Sequence, residues 1–415
     1  MRRVGRLISG LIQLVAIVVI LAIIALVVMG AITTRRGWPQ TTGTLVVKGL
    51  HHPVTVIRDG AGIIQISADD PHDLFLAQGY SHAQERMWQM EISRRIGAGR
   101  LSELFGAGQV DSDTYIRTLG WRIAAQRDLD AMSADTKAIL QAYSDGVNAW
   151  IAEHDGQLST PFVVAGLKAG IGGIGGYALE PWTPLDTATW QKVQAYSLGG
   201  NLDSEIFRFL ADARLGDPAK TDELFPAYDP TRPIITTTSA IGDGGANPGP
   251  GEPGPDVPGD APTAAPGASP SAVSADEATA LADLAHLGDS ISSLAGFDLG
   301  GGLAGDHGVG SNNWVVAGSK TLSGKPLLAN DPHLGFGMPS VWIMNGLHCR
   351  VVSDSCPWDV VGVSFPGAPA VILGHNARIA WGATNVGPDT QDLYRETPDP
   401  ADPKGHYLYK GTSAP

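Results

Sequence analysis

Cysteine is nearly absent: Cys349 and Cys356 are the two in 415 residues. Their separation is not a metal-binding spacing, and no second pair exists to complete a zinc site. Outside the cytosol they read as a short disulfide across a hairpin; the alternative is two unpaired, partly buried thiols. Basic residues are also scarce, with 28 Lys and Arg against 42 Asp and Glu and a net charge of −14. No concentrated basic face is visible, which argues against nucleic acid as a partner. Several catalytic signatures are missing as well. The two near-matches to G-x-S-x-G, at 79–83 and 362–366, lack the closing glycine. There is no His-Glu-x-x-His, and Gly324-Lys325 runs into proline, so no phosphate-binding loop is present.

What remains reads as a globular chain, 43% apolar and 17% charged, long enough for two or three domain-sized units. Residues 7–34 carry no charge and are dominated by Leu, Ile, Val and Ala, with Arg2, Arg3 and Arg6 before them and Arg35 and Arg36 after. A spanning helix needs about 20 apolar residues, whereas the core of a cleavable signal is roughly 7–15. Segment 1–36 therefore reads as an uncleaved signal anchor, a transmembrane helix with the bulk of the chain outside the cytoplasm. A cleaved export signal, giving a secreted or periplasmic protein, is the alternative.

Strand-like runs follow at 43–49, 54–58 and 63–67, with turn chemistry at Asp59-Gly60-Ala61-Gly62. His51 and His52 invite a metal reading, but neighbours on a strand point to opposite faces, so they are expected to be surface loop residues. An amphipathic helix is expected over 73–96, from apolar positions at Leu74, Ala77, Tyr80, Ala83, Met87 and Met90. Residues 110–215 read mainly helical, with Ser133 opening one helix as its N-cap. Between 236 and 310 there is no Lys or Arg, and more than half of 241–270 is Gly or Pro. Such a segment cannot bury enough apolar surface to offset its ordering entropy. It reads as a linker with one short helical stretch at 281–294.

Beyond the linker comes an ordered set: Gly310-Ser311-Asn312-Asn313-Trp314, Asn330-Asp331-Pro332-His333-Leu334, Gly374-His375-Asn376 and Trp381-Gly382-Ala383-Thr384-Asn385. It resembles the start of the catalytic chain in the penicillin acylase family of N-terminal-nucleophile amidases. Independently, the run from Ala77 to Met90, with Gly99-Arg100-Leu101-Ser102-Glu103, resembles what that family carries near the start of its non-catalytic chain.

The resemblance implies an α/β fold, the four-layer αββα sandwich of N-terminal-nucleophile hydrolases, with an additional mostly helical region and the N-terminal transmembrane helix. It implies that 37–235 is the first chain, that 236–310 is an excised spacer, and that 311–415 begins the catalytic chain. Cleavage between Gly310 and Ser311 would make Ser311 an N-terminal nucleophile. Asn385 is expected to supply a backbone N–H to the oxyanion, and His333 to position the serine. Further family groups, a side-chain oxyanion donor and an arginine, lie beyond Pro415. The resemblance also implies Ca2+ held by Glu205, Asp389 and Asp392 with the Gln391 carbonyl, clipping the two cleaved chains together. Met338, Trp342 and Phe365 are expected near the acyl pocket, His375 as a turn-holding residue, and Lys320 and Lys325 on the surface of a hairpin. The implied activity is hydrolysis of a small-molecule, non-peptide amide of penicillin, cephalosporin side-chain or acyl-homoserine lactone type. The rival readings are a membrane-anchored, non-catalytic binding homologue and an inactive fragment.

Overall fold

The structure, a computed structural model, describes residues 2–154, 158–165, 177–199, 202–224, 310–334, 338–385, 392, 394, 396–402 and 405–414. The chain divides into two compact units. One comprises Met1–Gly200 with Leu287–Thr390, the other Asn201–His286 with Gln391–Pro415. The expected spacer lies outside the described residues up to Gly310, and so does its helical stretch at 281–294.

The first unit is mixed α/β. Its helices are α1 (Arg2–Arg36), α2 (Pro71–Gly97), α3 (Ser102–Phe105), α4 (Val110–Leu119), α5 (Trp121–Ala131), α6 (Ala134–Glu153), α7 (Thr160–Val164) and α8 (Pro184–Gly199). Its strands are β1 (Thr55–Arg58), β2 (Ile64–Ala68), β3 (Gly310–Val316), β4 (Leu327–His333), β5 (Ile343–Cys349), β6 (Asp359–Ser364), β7 (Leu373–Asn376) and β8 (Ala380–Trp381). Six of them form one sheet in the order β1-β2-β5-β6-β7-β8, while β3 and β4 form a separate antiparallel pair. The β2–β5 pairing is parallel, with Ile66 opposite Leu347, and joins segments 281 residues apart in sequence. Asp59 turns the chain between β1 and β2 by accepting from the Ala61 and Ile63 amides.

Helix α2 organises this unit. Asp70 caps it by accepting from the Asp73 N–H, and Pro71 occupies the first turn, where its missing donor costs nothing. The expected amphipathic helix is instead buried on nearly every side. The reason is that β2 and β5 cover one face while α6 and α8 pack on others. Ile64, Ile66, Leu74, Phe75, Ile343 and Leu347 make the core between sheet and helix. On the α6 side, Tyr80, Met87 and Met90 meet Tyr143, Val147 and Trp150. The two helices approach through glycines: a Cβ on Gly79 would run into the Tyr143 carbonyl, and one on Gly146 into that of Leu76.

Ser133 caps α6 as expected, accepting from the Thr136 N–H at 3.2 Å. Cys349 and Cys356 form a disulfide beside the β5–β6 connection, with Cα atoms 5.8 Å apart. The strand expected at 43–49 does not form. Gly43 and Gly49 bend the segment at either end with φ of 97° and 103°, and Val47 packs on the α2–α6 core instead of pairing. Among the described residues, one helix segment, Gln13–Ile32, is long and apolar enough to cross a membrane, with a mean hydropathy of 3.3 and none of it buried.

In the second unit α9 (Leu202–Leu215) leads to α10 (Pro218–Asp222), whose N-cap is Asp217, and β9 (Tyr407–Tyr409) pairs with β10 (Thr412–Ala414).

Candidate active site

The β3–β4 hairpin sets the site by register. Gly310 faces His333, Ser311 faces Pro332, Asn312 faces Asp331 and Asn313 faces Asn330. Side chains alternate along a strand, so Ser311, Asn313, Asn330 and Pro332 share one face, and Gly310, Asn312, Asp331 and His333 the other. Pro332 has no N–H to give, so the Ser311 carbonyl takes no ladder bond from that partner. Ser311 is half-buried.

His333 does not sit on the serine's own face. Its Nε2 lies 2.8 Å from Asn312 Nδ2, and its Nδ1 is 3.5 Å from Asp331 Oδ1. Since Asn312 Nδ2 is a donor, Nε2 accepts and the ring's proton rests on Nδ1, towards Asp331. His333 thus stands across from Gly310, the residue before Ser311, and braces the side chain after it.

Asn330 joins the hairpin to the segment that follows β8. Its Nδ2 donates to the Ala383 carbonyl at 2.9 Å and, less closely, to Asn312 O at 3.3 Å, while its Oδ1 accepts from the Ala383 N–H at 3.1 Å. A Cβ on Gly382 would come within 2.7 Å of Asn330 Oδ1, so the approach needs glycine there. Asn330 projects from the Ser311 face, and the segment carrying Asn385 is therefore held against that face. Asn385 itself is exposed. Asn330 was present in the sequence motif but carried no expected role. The paired signal was an Asn at the start of one motif and a Gly-x-Thr-Asn in another.

Arg86 is a second unforeseen contributor. Helix α2 departs from helical geometry at this residue (φ −136°, ψ 18°), and its guanidinium donates to Ser340 O at 2.7 Å and Trp342 O at 3.4 Å. Burial holds its pKa below the usual guanidinium value, against the opposing pull of Glu85. The segment so fixed presents Trp342, which stacks on Phe365 with ring centroids 4.3 Å apart. Met338, expected beside them, is fully exposed. The 376–379 turn is held by Asn376, whose Oδ1 accepts from the Arg378 and Ile379 amides at 2.8 Å, in place of the exposed His375. The short amide side chain reaches two residues on, which an imidazole cannot do as compactly. Lys320 and Lys325 are exposed around Gly324, as expected for a hairpin surface.

Of the expected calcium ligands, Glu205 is half-buried on α9, and Asp392 is exposed and accepts from the Tyr394 hydroxyl at 3.4 Å. Both are carboxylates, the donor type a hard cation takes. Asp389 and Gln391 lie outside the described residues.

The sequence model of a family described as penicillin amidase matches residues 53–415. The penicillin acylase 2 proenzyme of Pseudomonas sp. (strain SE83) is 32% identical over 364 residues, 86% of this chain and 39% of that protein. The acyl-homoserine lactone acylase QuiP of Pseudomonas aeruginosa is 31% identical over 362 residues, 86% of this chain and 36% of that protein. Penicillin G acylase of Escherichia coli is 29% identical over 373 residues, again 86% of this chain, and 42% of that protein. The chain thus spans about two fifths of the length of these curated relatives. The solved structure of a thermostable penicillin G acylase from Alcaligenes faecalis is 26% identical, with a TM-score of 0.38, covering 45% of this chain and 97% of that one.

Proposed function

The chain belongs to the penicillin amidase family, and from that premise we propose that it is the leading part of a self-processing amidohydrolase acting on a non-peptide amide. The first step is cleavage of its own Gly310–Ser311 bond. Gly310 offers an unhindered carbonyl; the Ser311 hydroxyl attacks it, the Gly310–Ser311 C–N bond breaks as the nitrogen takes up the hydroxyl's proton, and water then opens the resulting ester to leave a Gly310 carboxylate and a free Ser311 hydroxyl. The new terminus has a free α-amine with a pKa of roughly 7.7–8.0. Before the cut that nitrogen is an amide without basicity. Afterwards it can take the hydroxyl proton through a water and later return it to the leaving amine.

Substrate hydrolysis then runs through an acyl-serine intermediate. The Asn385 backbone N–H donates to the oxyanion, a contribution worth about 3–4 kcal/mol when such a donor is lost. The observation that carries this reading is the Asn330 bridge, which keeps 382–385 on the face of Ser311. His333 acts through Asn312 and opposite Gly310, positioning the bond to be cut. Trp342 and Phe365 offer an apolar wall for an acyl group. Penicillins and acyl-homoserine lactones, named for the relatives, are the substrate classes to try first.

The fold that fits is the αββα sandwich of N-terminal-nucleophile hydrolases. Segment 37–235 is the first chain, 236–310 the excised spacer and 311–415 the start of the second. Glu205, Asp389 and Asp392, with the Gln391 carbonyl, would hold Ca2+, which supplies a tie between the cleaved chains. Helix α1 anchors the protein to a membrane with its amidase portion outside the cytoplasm.

Mixing the processed protein with an acyl nitroanilide and measuring intact mass tests the reaction. An acyl adduct on the chain beginning at Ser311, with release of nitroaniline, is expected. No adduct and no release would overturn the reading.

A further inference from the structure

The loop before β1 and the start of α2 bring His51, His52, Asp70, His72 and Asp73 together, far in sequence from Ser311. In the loop, His51 and His52 do not point apart. Their Nδ1 atoms lie 3.6 and 3.3 Å from Asp70 Oδ2, and 3.9 and 3.7 Å from the Asp73 carboxylate. Gly49, at φ 103°, turns the chain just before them.

Asp73 is fully buried and is aimed by the backbone, its two oxygens accepting from the His51 and His52 amides at 2.9 and 2.7 Å. Asp70 uses Oδ1 for the helix cap, leaving Oδ2 turned to the imidazoles. His72 Nδ1 lies 3.1 Å from Asp73 Oδ1, and its ring stacks on that of His51, centroids 4.1 Å apart and 15° from parallel. One donor atom from each of His51, Asp70, His72 and Asp73 lies within 4.8 Å of every other.

We propose that His51, Asp70, His72 and Asp73 form a binding site for a divalent transition metal of the zinc type. As ligands, two imidazoles and two carboxylates contribute a net charge of −2, which a divalent cation neutralises. The mixed nitrogen and oxygen set suits zinc, and disfavours calcium, which takes oxygen alone. A tetrahedral shell draws in donors that already lie within 4.8 Å of one another and turns the stacked His51 and His72 rings out of parallel, so that both nitrogens face the ion. The amide hydrogen bonds to Asp73 provide the outer support that ligating groups require. The ion would pin the 49–53 loop to the N-terminus of α2, the helix on which the unit is built. It is separate from the all-oxygen calcium set and does not depend on catalysis.

The test uses untagged full chain in detergent, stripped with a chelator and titrated with Zn2+ alone. Bound zinc is counted by elemental mass spectrometry and thermal melting is followed in parallel. The expected result is a single equivalent retained after desalting, with a raised Tm, and at least a tenfold weaker retention in His51→Ala and in His72→Gln. His51 is more than half exposed, so its replacement leaves the fold intact, and an unchanged metal-free melting curve verifies this for both variants. No retained zinc, or equal retention by wild type and both variants, would overturn the proposal.

Discussion

Asn330 grips Ala383 with both ends of its carboxamide, donating to the carbonyl and accepting from the amide as a neighbouring strand would. A side chain on the Ser311 hairpin thereby does what backbone pairing does within a sheet. Asn330→Asp removes the donors and should lower turnover on the order of 10²-fold, close to the loss of one oxyanion donor. Steady-state kinetics on processed protein checks this, and Gly382→Ala should reproduce the effect by pushing the carboxamide away. Wild-type turnover in both variants would remove Asn330 from the mechanism.

The α2–α6 contact has no room for a methyl group at Gly79 or Gly146. Gly79→Ala should destabilise the fold by about 1–3 kcal/mol, the cost of forced overpacking, because the obstacle is backbone and cannot rotate aside. Thermal melting measures it. A shift within error would mean that the helices separate easily.

His82 is buried beside Tyr143, 2.8 Å from its hydroxyl, and the Gly367 N–H donates to that same hydroxyl at 3.0 Å. Burial first, and the charge of Arg86 second, push the His82 pKa down to about 3. A lowered histidine pKa means that the unfolded chain binds the proton more readily. Its contribution is complete above the unfolded value and is lost as pH falls from about 6.5 towards 3. Between pH 7 and pH 5 the loss should be on the order of 2 kcal/mol. Melting curves across this range, compared with His82→Asn, isolate the effect, which should shrink in the variant. An equal slope in both would assign the pH dependence to other groups.

Arg86 trades helical geometry for its grip on the 340–342 carbonyls. Arg86→Ala should raise KM for long acyl amides more than it changes kcat, since Trp342 would lose its fixed position. Lys should rescue only in part, because one ammonium cannot reproduce the forked contact. A kcat effect without a KM effect would contradict the role.

Much of this was legible in advance for local reasons. Asp70, Pro71 and Ser133 are helix-start residues whatever surrounds them, and the Ser311 and His333 motifs fell on one hairpin. The misses were tertiary. Helix α2 looked amphipathic because its periodicity does not reveal that α6, α8 and the sheet would cover three sides. The 43–49 run had strand composition, but its glycines bend it off the sheet edge. His51 and His52 lie exposed in a loop as expected, but that loop turns both towards Asp73, which an argument from strand alternation does not reveal. Asn330 and Arg86 were invisible because their partners are backbone groups about 50 and 250 residues away, which leave no mark of residue type.

The central claim is that Ser311 becomes a chain terminus. Intact mass and N-terminal sequencing of the full gene product, expressed with helix α1 in place, test it most directly. The account predicts a new terminus reading Ser-Asn-Asn-Trp in the wild type and its absence in Ser311→Ala. A single uncut chain in the wild type would contradict it, leaving Ser311 without its amine base and favouring a non-catalytic binding homologue.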